Sequence, residues 1–412
     1  MKHLVVLGAG TAGTMVVNKL RPHLSRSEWK VTIVDPATEH HYQPGYLFVP
    51  FGTYRPEQVV KPTKRFIPAG VELVQQAVEK VDTEANTVLL AGGDSLTYDQ
   101  LVIATGTAPR PDETPGLDGP ETGKTVHHFY TLEAATALRD ALADFEGGKV
   151  VINLIDLPIK CPVAPLEFTF LAESFFAERG MRDQVEITYV TPLEGAFTKP
   201  VASRELGDML ASKKIDLEPD FYLERVDQDE KKIVSYDERE IDYDLLVSIP
   251  LNFGADFVAA SGLGDELNHV KVDHYTFLAD GTDNVFAVGD AAALPTSKAG
   301  SVAHFAIDIF TENFLEHIEG REMTHAFDGH ANCYIESGYG KAMLIDFNYT
   351  TQPLKGKFPM PGVGPFSLLE ETEMNHFGKM MFKWIYWNIL LPGKELPLPA
   401  LMSMAGKVPE EV

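Results

Sequence analysis

Three glycines near the start of the chain constrain its fold more than any other feature. Gly8-Ala9-Gly10-Thr11-Ala12-Gly13 follows an apolar run, Leu4 to Leu7, that reads as a buried parallel strand. A helical pattern then runs to about Leu20, and Trp29 to Val34 reads as a second strand closed by Asp35. Strand, G-x-G-x-x-G turn, helix and strand make a dinucleotide fingerprint in its required context. Gly8 allows the tight turn, Gly10 lets backbone approach a pyrophosphate, and Gly13 lets helix pack on strand; Thr11 and Ala12 complete the cradle. Asp35 stands 22 positions after Gly13, where an acidic residue binds ribose hydroxyls. From this turn alone the nucleotide is NAD or FAD.

Two later segments favour FAD. Tyr98 to Gly106 is a strand ending in Ala104-Thr105-Gly106, and Thr282 to Ala292 holds a strand ending in Gly289-Asp290. In this order the three motifs resemble those of flavoproteins with two dinucleotide-binding domains, relatives of glutathione reductase. The resemblance implies an α/β fold: two Rossmann-like domains of glutathione reductase type plus a C-terminal membrane-associating region. It puts Asp290 on the ribityl chain and Pro44, Ala77, Val78, Lys298 and Gly300 around the cofactor. A helix starting near Ser297 to Ser301 would aim its N-terminus at the flavin pyrimidine. The expected domains are 1–108 with 281–320 for FAD, 109–280 for the second Rossmann-like unit, and 321–412 for the C-terminal region.

The second unit lacks its nucleotide loop. A strand-like run, Val150 to Ile155, is followed by Asp156-Leu157-Pro158-Ile159-Lys160, with no glycine. Pro158 removes a backbone donor, and Leu157 and Ile159 add bulk where backbone would have to approach phosphate. The NAD(P)H site is therefore expected to be lost.

A cysteine follows instead. Lys160-Cys161-Pro162-Val163-Ala164-Pro165-Leu166-Glu167 resembles the segment around one redox cysteine of sulfide:quinone oxidoreductases. Ala331-Asn332-Cys333-Tyr334-Ile335-Glu336 resembles the segment around its partner, and flavocytochrome c sulfide dehydrogenase is a close relative. The resemblance implies hydrosulfide and quinone as substrates, FAD as cofactor, and Cys161 and Cys333 as a redox sulfur bridge. Hydrosulfide would attack sulfur, leaving a persulfide on one cysteine and a thiolate on the other. Glu167 and His128 are candidates for proton handling, and Lys160 for lowering a thiol pKa. Two features depart from relatives. Tyr130 stands where many sulfide:quinone oxidoreductases carry a third cysteine, which leaves the sulfur product open between polysulfide and sulfur. The loop His40-His41-Tyr42-Gln43-Pro44 has no cysteine to attach FAD, so the cofactor is expected to be noncovalent.

Composition excludes other classes. A net charge of −25 repels nucleic acid, and two cysteines 172 positions apart give no zinc spacing. Met1-Lys2-His3 leads straight into the first strand, so no signal peptide is expected. No run of about 20 apolar residues exists to span a bilayer. Residues 373–391 wheel at helical period, with Met374, Phe377, Met380, Met381, Trp384, Ile385, Trp387, Ile389 and Leu391 on one face. Asn375, His376, Lys379, Lys383 and Tyr386 mark the other. By pattern such a helix packs on the FAD domain, on a second copy in a homo-oligomer, or in a membrane interface. A quinone substrate favours the membrane, hence peripheral (monotopic) attachment. Tyr334 and Phe377 are candidates for the quinone pocket. Two other functions stay open at this point: a type II NADH:quinone oxidoreductase-like enzyme, and a noncatalytic flavoprotein that binds sulfane sulfur.

Overall fold

Five parallel strands form the first sheet, in the order Val285–Ala287, Gln100–Ile103, Lys2–Leu7, Trp29–Val34 and Glu72–Val74. The computed structural model that shows this describes residues 1–408. Leu4 to Leu7 are fully buried, which explains a continuous apolar run in place of alternation. The strand Val285–Ala287 joins this sheet from a distant part of the sequence, as the Gly289-Asp290 motif led us to expect.

Between these two visits the chain crosses over and back on one antiparallel pair, Thr107–Arg110 with Leu251–Gly254. It builds a second parallel sheet, ordered Val126–His127, Leu245–Ile249, Gly148–Leu154, Val185–Val190 and Asp216–Glu218. The helix Ala164–Glu178 begins just after the cysteine loop and is buried along most of its length. The helix Gly300–Ile318 begins within the stretch expected from sequence.

The C-terminal region is an antiparallel hairpin, Ala331–Gly338 with Lys341–Phe347, extended by Gly364–Leu368 and Gly356–Met360. A helix, Glu373–Ile385, follows; the Thr372 hydroxyl caps it by accepting from the Asn375 amide. One apolar core joins the first sheet, the helix after Cys161 and this tail, through residues such as Leu4, Phe168, Ile345 and Trp387. The tail is thus packed into the molecule and not appended to it.

The tail helix corrects the sequence reading at its C-terminal end. Regular helix ends at Ile385, and Tyr386–Leu390 form a π turn. The wider turn shifts the register, so Trp387 and Leu391 turn into the core and leave the outer face. The two faces themselves lie as a membrane-facing helix requires: Asn375 and Tyr386 are buried and Lys379 points inward, while Met374, Phe377, Met381 and Trp384 are exposed. A helical wheel separates two faces but does not say which one meets the protein.

Candidate functional site

A cavity with ≈ 1160 Å³ of empty space, part of it open to solvent, lies where the two Rossmann-like units and the tail meet. Gly10, Thr11, Ala12, Ala104, Thr105 and Gly106 form one wall. A Cβ on Gly13 would lie 1.9 Å from the Gly8 carbonyl oxygen, whereas one on Gly10 would meet nothing within 4 Å. Gly13 is therefore needed for helix-on-strand contact, and Gly10 leaves an open approach to backbone. Asp35 accepts from the Ala9 amide at 2.6 Å, which ties the acid at the end of the second strand to the turn. The Thr105 hydroxyl is buried on the cavity wall without a protein partner.

The opposite wall carries Gly289, Asp290, Lys298, Ala299 and Gly300, at the start of the long helix Gly300–Ile318. No side chain caps that helix, so its first amides are available to an anion. Lys298 is buried and donates to the Asp290 and Ala292 carbonyls at 2.8 and 3.1 Å. These residues fit FAD: an uncapped helix end, an open glycine cradle and an orphaned hydroxyl all face one elongated space. Gly13→Ala is expected to yield protein with a lower flavin-to-protein absorbance ratio and an earlier thermal transition, because the added methyl collides with backbone.

The cysteine loop closes this cavity. Cys161 has φ +49°, a left-handed conformation that costs a non-glycine residue on the order of 1–3 kcal/mol. Its amide donates to the Lys298 carbonyl at 2.6 Å, pinning the loop to the cofactor wall. Cys161 lines the cavity, and the Tyr130 hydroxyl donates to its carbonyl at 3.4 Å. The tyrosine found in place of a third cysteine therefore packs directly on this loop.

Behind the loop lies a buried charged pair. Lys379, from the tail helix, donates to Glu167 at 2.5 Å and to the Tyr334 carbonyl at 2.9 Å. The same Glu167 oxygen accepts from the Glu336 amide at 2.9 Å; its other oxygen is buried without a partner. Glu336, itself buried, accepts from His376 at 2.9 Å, and His376 is one-third exposed. Burial raises the Glu167 carboxyl pKa, and Lys379 offsets this in part. Burial opposes the Lys379 charge, but Glu167 and then Cys161 outweigh it and push its pKa up.

Both thiols feel this pair. Burial first, then Glu167, pushes the Cys161 thiol up, while Lys379 pulls it down. Burial pushes Cys333 up to about 12, and Lys379 again opposes. Cys333 in turn bears on Cys161, so the two cysteines and the pair form one electrostatic unit. Lys160 is not the cation that serves the thiol: its Nζ donates to the Gln43 side-chain oxygen Oε1 at 3.1 Å. The serving cation is Lys379, which sequence reading had named only as part of the polar side of the tail helix.

Other expected residues are divided. Pro44, Glu167 and Lys379 line the cavity with the glycine turn and Cys161. Ala77 and Val78 lie outside its lining, where the Ala77 carbonyl accepts from the Ala91 amide. Tyr334 packs edge-on against Phe366 beneath the tail helix, and Phe377 is 59% exposed; neither lines the cavity. Phe129, Phe382 and Tyr386 take that place. His128 is held neutral, its pKa lowered to about 4 by burial, with His127 and Lys160 adding to the effect. Sequence reading also missed the link between the turn and the tail: the Tyr386 hydroxyl meets Thr11 at 2.8 Å and His40 at 2.7 Å.

A family profile described as pyridine nucleotide-disulphide oxidoreductase matches residues 2–153. The mitochondrial sulfide:quinone oxidoreductase of Mus musculus is 25% identical over 95% of this chain and 86% of its own length. That of Dictyostelium discoideum is 27% identical over the same shares. The chain is a relative of the sulfide:quinone oxidoreductases. In fold it is similar to the sulfide:quinone oxidoreductase of Aquifex aeolicus, with a TM-score of 0.79, 21% identity, and 96% and 92% of the two chains covered. The likeness to the Mus musculus and Dictyostelium discoideum proteins covers 95% of this chain, well beyond the nucleotide turn.

Proposed function

We propose that this chain is an FAD-dependent sulfide:quinone oxidoreductase that holds its flavin noncovalently and takes electrons from hydrosulfide through Cys161 and Cys333. One observation carries the reading: where a nucleotide-binding loop would stand, a glycine-free loop presents a left-handed cysteine to the flavin cavity. Bound FAD supplies two-electron acceptance and onward delivery to quinone. The chain's residues would do the rest. Gly10, Thr11 and Thr105 hold one end of the cofactor, and Asp290 with the Gly300 helix start holds the other. Hydrosulfide attack on a Cys161–Cys333 sulfur bridge leaves a persulfide on one cysteine and a thiolate on the other. Lys379 offsets the negative charge of that thiolate, which burial would otherwise keep protonated. The free oxygen of Glu167 is a proton acceptor within the same unit, and Glu336 with His376 leads from it toward solvent. The product is polysulfide or sulfur.

The tail supports peripheral membrane attachment. Met374, Phe377, Met381 and Trp384 form an exposed apolar stripe on a helix whose polar side is bound inward. Among the described residues no helix is long and apolar enough to cross a membrane. A stripe of this kind suits burial at the level of lipid headgroups, from which quinone can reach Phe382 and Tyr386.

Steady-state assays with a water-soluble short-chain quinone test the reaction. Sulfide is expected to drive quinone reduction, and NADH at the same concentration is expected to give a rate at least about 100-fold lower, since the loop cannot cradle a second pyrophosphate. Turnover with NADH and none with sulfide would favour an NADH:quinone oxidoreductase and defeat the proposal.

A further inference from the structure

The tail helix and the segment beneath it break the charge pattern of the protein. Residues 58–71 and 374–394 contain no Asp or Glu, although the chain has 60 acidic residues against 35 basic. Folding brings the two stretches together. Trp387 stacks on Phe66 with ring centroids 5.2 Å apart, and Lys61 Nζ lies 4.4 Å from the Trp387 ring. Lys383 Nζ lies 3.6 Å from the ring of Tyr54. Lys64 and Arg65 are exposed on the short 3-10 helix Thr63–Phe66 that follows Lys61.

These cations lack counter-ions. Among the described residues, none of Lys61, Lys64, Arg65 and Lys383 forms an ion pair, whereas the flanking Arg55 pairs with Glu57 and Lys30 with Glu72. Burial, and after it the like charges of Arg65 and Lys383, lowers the Lys61 pKa, so the cluster is close enough to repel itself. Lys383 adjoins Trp384, which is 60% exposed on the apolar stripe. A self-repelling basic group beside an unpartnered apolar stripe calls for an external surface that is apolar inside and negative outside.

We infer that this face docks on a bilayer with anionic headgroups, with the stripe entering the apolar layer and Lys61, Lys64, Arg65 and Lys383 meeting lipid phosphates. The inference rests on the membrane attachment proposed above and adds the lipid class. The net charge of −25 does not prevent it. At physiological salt, charges beyond about 8 Å are screened, so the local cations decide. Each cation near the surface contributes about fivefold to partitioning. A second copy of the chain is a poorer occupant of a self-matching contact, because the same four cations would face each other.

Co-flotation of the full, FAD-loaded chain decides the matter, using phosphatidylcholine vesicles with and without phosphatidylglycerol. At 0.15 M salt the anionic vesicles are expected to bind at least about tenfold more tightly, and the difference is expected to vanish in 1 M salt. The triple variant Lys61→Gln, Lys64→Gln, Arg65→Gln is expected to lose the preference while keeping binding to neutral vesicles and turnover with soluble quinone. Equal binding of the unaltered protein to both vesicle types overturns the inference and leaves membrane attachment standing. Binding to neither overturns both. A dimer in lipid-free solution that Trp384→Ser disperses would assign the face to a second copy and also overturn the inference.

Discussion

Cys161→Ser is expected to slow sulfide-dependent bleaching of the flavin by at least about 1000-fold, as loss of a nucleophile does in other enzymes. Cys333→Ser is expected to do the same, and the double variant to be no slower than either single one, because the two sulfurs act as a unit. In each variant FAD is expected to remain bound, since the cradle of Gly10, Thr105 and Gly300 does not include a cysteine sulfur. Stopped-flow absorbance under anaerobic conditions reads both quantities. A single variant that keeps full sulfide-dependent reduction would remove the cysteines from the mechanism.

Lys379→Met is expected to destabilise the fold by about 3–5 kcal/mol at neutral pH, because it strands the fully buried Glu167 without its cation. The pH dependence follows from the sign of the Glu167 shift. Its carboxyl pKa is already raised in the folded state, and loss of Lys379 raises it further. A raised acid disfavours the folded state at pH above that raised value, and the deficit fades as pH falls toward the ordinary carboxyl range. The variant's stability deficit is therefore expected to be largest at neutral pH and to shrink toward pH 4. Adding Glu167→Gln to Lys379→Met is expected to recover part of the loss. Urea unfolding midpoints at several pH values provide the check; a deficit that does not change with pH would mean that Glu167 is not the stranded group.

The first sheet was legible because its signals are local. A buried strand, a glycine turn and a capping acid within 35 residues leave few alternatives, and the Gly289-Asp290 strand returns to the same sheet. The cysteine loop was legible for a related reason: Pro158, Leu157 and the lack of glycine are local obstacles to phosphate. What escaped the sequence depends on which side of an element faces inward. Lys379 read only as one of several residues on a helix's polar side, because a helical period carries no sign of a partner far away in sequence. Only the tertiary position of Glu167, some two hundred residues away, gives it a buried partner. Trp387 left its expected face because the π turn at Tyr386–Leu390 changes the register by a fraction of a turn, which periodicity at 100° per residue does not show. Tyr386 was missed because its partners, Thr11 and His40, lie at the other end of the chain.

The most direct measurement is an anaerobic titration of the purified, FAD-loaded protein, following flavin absorbance. Sulfide is expected to bleach the oxidised flavin with an endpoint near one equivalent, and a soluble quinone analogue added afterwards is expected to restore it in full. A flavin that sulfide leaves oxidised while NADH bleaches it would contradict sulfur as the route by which electrons enter.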